Sequence, residues 1–200
     1  GYFINNPNYI KDVLVTNQSS FIKEDSFKRI KNVMGNGILV SDGAFYLRQR
    51  RLVQPAFHRQ RIAAYGKIIS DYAADIYSCW QDGEEIGIFK EMNQLTLNIV
   101  AKTLFDTNFE GETNEIGECV SIIQHSVPFS PQSDENYTIL NHEQLAEAKN
   151  KLDRIIYRLI EERQKSSEDK GDLLSMLMFS GEGDEKMSNE ELRDEAITIL

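Results

Sequence analysis

Apolar residues recur three and four positions apart over most of this chain, a spacing that restricts it to folds built from packed amphipathic helices. Ile62, Tyr65, Ile68, Ile69, Tyr72, Ala73, Ile76 and Trp80 share one stripe, which predicts a long helix over 61–81 that stops at Gly83. Met92, Leu95, Ile99, Val100, Leu104 and Phe105 repeat the pattern, and the polar run DTNFEGET closes that second helix. A third, less regular helix is predicted over 114–127. Leu145, Ala148, Leu152, Ile155, Ile156 and Leu159 mark a fourth, with charges of alternating sign on its outer face. Ser188 followed by Glu191 forms a capping box that opens a final helix.

Strand signals are confined to the start. GYFIN reads as a short apolar strand, followed by a turn at Asn5 and Asn6 and a helix with Pro7 at its first position, on which Val13 and Leu14 face the core. Pro128, Pro131 and their polar neighbours form a loop, and no fixed-period repeat is present. The expected fold class is therefore mainly α with a minor N-terminal strand. With 200 residues, 40% of them hydrophobic, the chain can bury a core as one domain or as part of a larger one.

Charge is divided unevenly along the chain. Residues 1–67 carry eleven Lys and Arg against four acids, while 68–200 carry eleven against twenty-eight. Five of the ten arginines fall within 48–61, beside apolar residues, and such a cluster calls for an anion. The net charge of -10 disfavours a nucleic-acid or anionic-membrane surface, which needs a continuous basic face; a small, locally bound anion fits better. Cys79 and Cys119 stand apart without metal-site spacing, which makes two buried free thiols the expectation. No apolar run reaches the length of a membrane span and no signal-peptide pattern opens the chain, which fits a cytoplasmic protein. The sequence starts without Met and so leaves membrane association of a parent protein open.

Within the arginine cluster, Asp42 is a good N-cap and Pro55 disfavours helical geometry at the residue before it, so about three turns of helix lie between them. Phe45, Tyr46, Leu52 and Val53 fall on one apolar arc, Arg48 and Arg50 on its borders, and Arg51 points away. Tyr46 and Arg50 are four apart, so a phenol and a guanidinium can both reach one carboxylate or phosphate. The same spacing also describes a surface arginine lying beside a tyrosine. A helical binding module whose arginine patch recognises an acidic or phosphorylated partner is the alternative function these residues allow.

GNGIL, Ser-Asp-Gly, an aromatic four residues before an Arg, Arg-Arg and QPAFH together resemble the entry to helix C and helix C itself of the cytochrome P450 family, the haem-thiolate monooxygenases. Asn6-Pro7, Asp12-Val13-Leu14 and Ser20-Phe21 resemble helix B; Leu95-Thr96 with Leu104-Phe105 resembles helix E. LDRIIYRLIEER resembles the end of helix G, and SNEELRDEAITIL the approach to helix I. The resemblance implies a partial P450 domain over residues 1–200, from the β1 and helix B region to the start of helix I. It implies haem as cofactor, with Arg50 and Tyr46 on a propionate, Tyr46 standing where the family usually has Trp. A phenol donates a hydrogen bond as an indole does.

Further implications are a substrate pocket lined by Leu39 and Ile38, a redox-partner face of Arg48, Arg51 and Arg59, and a ferredoxin or reductase as electron donor. The parent enzyme would insert one oxygen atom from O2 into a small organic substrate. Pro128 to His142 matches the family's variable F to G connection, where Phe129 and Tyr137 touch substrate or cover the core. The family's Phe-x-x-Gly-x-x-x-Cys-x-Gly loop, its acid-alcohol pair and its Glu-x-x-Arg are absent from these 200 residues. No catalytic or metal-ligating residue is therefore assigned here, Cys79 and Cys119 are not iron ligands, and the isolated chain is expected to be inactive. His58, His125 and His142 read as surface or capping residues.

Overall fold

Asn6 and Pro7 open the first helix as their chemistry requires. Asn6 is extended, its side chain accepts from the Asn8 N–H at 2.9 Å, and Pro7 sits in the first turn, where a missing N–H leaves no bond unmade. This helix, α1 (Pro7–Lys11), runs on through a π-helical turn, Asp12–Thr16, and a 3-10 turn, Gln18–Ser20. The computed structural model describes residues 2–23, 31–108, 111–126, 142–180 and 186–200. The longer helices follow as α2 (Gly43–Val53), α3 (Arg59–Cys79), α4 (Ile88–Phe105), α5 (Thr113–Ser126), α6 (His142–Ser166), α7 (Leu173–Phe179) and α8 (Asn189–Ile199).

α6 is the central element. Ala148, Leu152, Ile155, Ile156, Leu159 and Ile160 form its buried stripe, and α5 and α8 pack along it. Ile116, Cys119 and Ile123 enter the same core from α5, Leu97, Ala101, Leu104 and Phe105 from α4, and Leu192, Ala196 and Ile197 from α8. Each fully buried aliphatic side chain contributes about 1.5–3 kcal/mol to this assembly.

Three expectations need correction, and one buried residue was not foreseen. Residues 2–6 are exposed and form no strand, because no strand partner exists among the described residues and an unpaired strand leaves its backbone groups to water. Leu14 is 62% exposed and Val13 only half-buried, since nothing described covers that side of the Asp12–Thr16 turn. Cys119 is buried but Cys79 is exposed, because α3 buries no residue fully along its length. Arg163, unlike the charges of the outer face of α6, continues the inner stripe and is buried. The expected loop at Pro128 and Pro131 lies outside the described residues.

The buried arginine uses both of its terminal nitrogens. Its Nη1 and Nη2 donate to the two oxygens of Asp172, each at 2.7 Å, Nη2 also donates to the Phe105 carbonyl at 3.0 Å, and Nη1 to the Ser175 hydroxyl. Asp172 meanwhile caps α7 by accepting from the Ser175 N–H at 2.8 Å. One ion pair thus ties the ends of α4, α6 and α7 together. Asp172→Ala is expected to destabilise the protein by about 3–5 kcal/mol, because it strands a buried guanidinium. Arg158→Ala, which breaks the half-exposed pair with Glu112, costs at most about 1 kcal/mol. Urea unfolding midpoints compare the two; equal shifts would show that the buried pair has no special weight.

Candidate functional site

α2 begins after Asp42, which has N-cap backbone geometry, φ -132° and ψ 172°, but whose carboxylate does not cap. It accepts instead from the Lys23 N–H at 3.4 Å. α2 gives way to a 3-10 turn, Gln54–Phe57, that accommodates Pro55. Leu52 and Val53 are buried and Phe45 and Tyr46 half-buried, on the face the apolar arc marked out. At the centre of that arc lies Gln49, fully buried, whose Nε2 donates to Glu191 Oε1 at 3.1 Å. Its polarity hid it, although its angular position alone could have revealed it.

Arg48 reaches α8 rather than solvent. Its Nη1 donates to Glu191 Oε1 at 2.6 Å and its Nη2 to the Lys186 carbonyl at 2.9 Å. Glu191 Oε2 in turn accepts from the Ser188 N–H at 2.8 Å, completing the expected capping box. Arg51 and Arg59 are exposed, and Arg61 donates to the Gly171 carbonyl at 2.7 Å. His58 sits at the N-cap of α3.

Arg50 and Tyr46 meet as their spacing required: Arg50 Nη1 donates to the Tyr46 hydroxyl at 3.0 Å, and Gln18 Nε2 donates to the same oxygen at 3.4 Å. That oxygen accepts twice and still has its proton to donate, for which the described residues offer no acceptor. Arg50 likewise has no carboxylate partner there. The Lys23 ammonium lies 4.4 Å from the Tyr46 ring centroid and donates to the carbonyls of Ile38 at 2.7 Å and Ser41 at 2.6 Å. Burial lowers its pKa, opposed by Asp42, Tyr46 and Glu195. Beside these groups opens a cleft of about 560 Å³ lined by Val13, Phe21, Ile22, Lys23, Tyr46 and Leu47.

Residues 33–41 link α2 to α8. Val33 C=O accepts from Arg193 Nη2 at 2.9 Å, Asn36 N–H donates to Asp194 Oδ2 at 2.7 Å, and Ile38 N–H donates to Glu195 Oε2 at 3.2 Å. Arg193 is neutralised by Asp194 at 2.8 Å and by Asp153 of α6. Ile38 is half-buried and Leu39 is 40% exposed. The buried triplet Arg193, Asp194 and Glu195 was missed from sequence, where charged residues read as a solvated face. Phe129 and Tyr137 lie outside the described residues.

The approach of this segment to α8 is set by glycine. A Cβ on Gly37 would lie 2.1 Å from Thr198 Oγ1 and 2.7 Å from the Asp194 carbonyl, which as backbone cannot swing aside. Gly37→Ala is therefore expected to destabilise by about 1–3 kcal/mol. Gly66→Ala, in open space on α3, should stabilise by about 0.5–1 kcal/mol. Thermal unfolding of both variants checks this, and a neutral Gly37→Ala would contradict the close packing.

Comparison with known proteins bears on the whole chain. Residues 2–200 match the family described as Cytochrome P450. Cyclooctat-9-en-7-ol 5-monooxygenase of Streptomyces melanosporofaciens is 29% identical over 206 residues, covering 100% of this chain and 45% of the relative. Cyclooctatin synthase of the same organism is 30% identical over 209 residues, covering 97% and 44%. The crystal structure of a cytochrome P450, CYP102L1, superposes with a TM-score of 0.71 at 17% identity, over 88% of this chain and 43% of that one. The chain thus spans less than half the length of the relatives it matches. No helix among the described residues is long and apolar enough to cross a membrane. With the family matched from residue 2 to residue 200, and the fold superposing on a solved member, the chain belongs to the cytochrome P450 family.

Proposed function

We propose that this chain is the N-terminal part of a longer haem-thiolate monooxygenase domain, in which Arg50 and Tyr46 bind a haem propionate. The observation that carries the reading is the donor set on α2: a guanidinium without a carboxylate among the described residues, and a phenol whose oxygen accepts from Arg50 and Gln18 and whose proton has no acceptor among them. Two convergent donors without an acceptor fit a carboxylate, and a propionate is one. The positive charge of Lys23 above the Tyr46 ring adds to the attraction. Arg48, by contrast, is already matched by Glu191, which argues against a single undifferentiated arginine patch for an acidic protein.

Oxygen activation and insertion of one oxygen atom from O2 into an organic substrate are the chemistry that bound haem supplies. The residues of this chain bind, orient and enclose. Ile38 and Leu39 form part of the distal pocket wall, a role supported by the way their segment is fixed between Lys23 and α8. Arg51 of α2 and Arg59 at the start of α3, both exposed, provide the basic face for a redox partner such as a ferredoxin or a reductase; Arg48 contributes less because Glu191 holds it.

In the full-length protein, Arg50→Ala is expected to weaken haem retention by about 10- to 100-fold, the worth of a charge-assisted hydrogen bond of about 1.5–3 kcal/mol. Arg51→Ala should stay within about twofold of the wild type, since it removes no such bond to the cofactor. Haem content of the purified variants decides, and equal content would remove Arg50 from the propionate site. The isolated chain, which has no Phe-x-x-Gly-x-x-x-Cys-x-Gly loop, should give no thiolate-type carbon monoxide difference spectrum. Observing one would mean that the iron ligand lies within these residues.

A further inference from the structure

We propose that Glu195, with Asp194, positions the segment 35–41 and thereby sets which ligands the pocket beside it admits. This rests on the reading of Ile38 and Leu39 as pocket wall. Two consecutive carboxylates of α8 each take one backbone N–H from alternate residues of the segment, Asn36 to Asp194 at 2.7 Å and Ile38 to Glu195 at 3.2 Å. From the other side the Lys23 ammonium holds the Ile38 carbonyl at 2.7 Å. Ile38 is thus gripped at both its N–H and its C=O by side chains, and Gly35 and Gly37 let the segment lie directly against α8.

Glu195 is an improbable residue for stability alone. It is fully buried, and among the described residues it has no ion-pair partner and its Oε1 finds no hydrogen-bond partner. Ser41 Oγ, Gln49 Oε1 and Thr198 Oγ1 are buried and likewise without a partner among the described residues. An apolar side chain of similar volume would avoid that desolvation cost. What Glu195 supplies and an apolar residue cannot is a directional bond to the Ile38 N–H.

The same carboxyl makes the tether sensitive to pH. Burial is the main reason it titrates at about 7; the Ile38 N–H opposes this, Asp194 and Glu191 on its own helix add to it, and Lys23 opposes it. Of the remaining charges at this junction, Arg48 of α2 is paired with Glu191, and Asp153 of α6 with Arg193. Lifting the segment admits water to this carboxyl and relieves the burial that is the largest cause of its raised pKa, which outweighs the loss of the Ile38 N–H, so the closed state holds the proton more tightly. Closure is therefore favoured at low pH and weakens as pH rises from about 4.5 through about 7.

Hydrogen exchange of the peptide covering 33–41 in the full-length haem-loaded protein tests the tether, and Soret-band titrations with imidazole and 4-phenylimidazole test the pocket. Wild-type protection should fall about tenfold or more between about pH 5.5 and 8. Glu195→Gln, which keeps an acceptor but cannot titrate, should stay protected across that range and keep the wild-type ratio of probe affinities. Glu195→Ala should lose protection at both pH values and change that ratio at least about fivefold, whereas Glu190→Ala, on the exposed side of α8, changes neither. Unchanged protection in Glu195→Ala, or a wild-type pH slope in Glu195→Gln, would overturn the tether. Lost protection with an unchanged probe ratio would overturn the link to ligand choice, and would place the fault in the pocket-wall reading. Should Glu195→Ala fail to fold, the contrast in slope between wild type and Glu195→Gln decides the matter.

Discussion

Burying Arg193, Asp194 and Glu195 side by side on one helix is the constraint on which the described structure turns. Charges out of water must be matched, and successive residues on a helix point in different directions, so no single neighbour can match all three. Arg193 is satisfied by Asp153 of α6, by Asp194 and by the Val33 carbonyl. Asp194 has one oxygen left for Asn36, and Glu195 is turned to Ile38. α8 therefore fastens α6 on one side and the approach to α2 on the other. The segment between Val33 and Ser41 follows a path dictated by carboxylates rather than by a core of its own.

The same accounting sorts the arginines. Arg48 is matched by Glu191, Arg163 by Asp172 and Arg193 by two aspartates. Arg50 is held by a phenol, which fixes its direction without neutralising its charge. A guanidinium oriented but not neutralised is suited to an anion from outside the described residues, which is why the cofactor reading centres on it and not on its neighbours in the cluster.

Helix positions were legible because they follow from periodicity and local caps. The Ser188–Glu191 box, the Pro7 start and the stripe of α6 are each set by residues within a few positions of one another. The Tyr46–Arg50 contact was legible for the same reason, being one turn of helix. Burial was not. α3 has one of the strongest apolar stripes yet buries no residue fully, since a stripe specifies a face but not what packs against it. Gln49, Arg163 and the triplet of α8 show the converse: polar residues are taken inside when a partner more than a hundred positions away, or on another helix, completes their bonds. The opening strand failed on the same ground, because pairing is a property of two segments and only one was visible.

Lys23 joins the two parts of the site. Its ammonium stands over the Tyr46 ring and at the same time holds the Ile38 and Ser41 carbonyls, while Glu195 takes the Ile38 N–H from below. The residue that orients the proposed cofactor anchor and the residues that fix the proposed pocket wall are therefore linked through one side chain of segment 18–23. A displacement of Lys23 would release two carbonyls and uncover the ring together, because a single Nζ makes all three contacts. Physical coupling of that kind needs no long chain of intermediates: it follows from one partly buried charge satisfied by two elements at once.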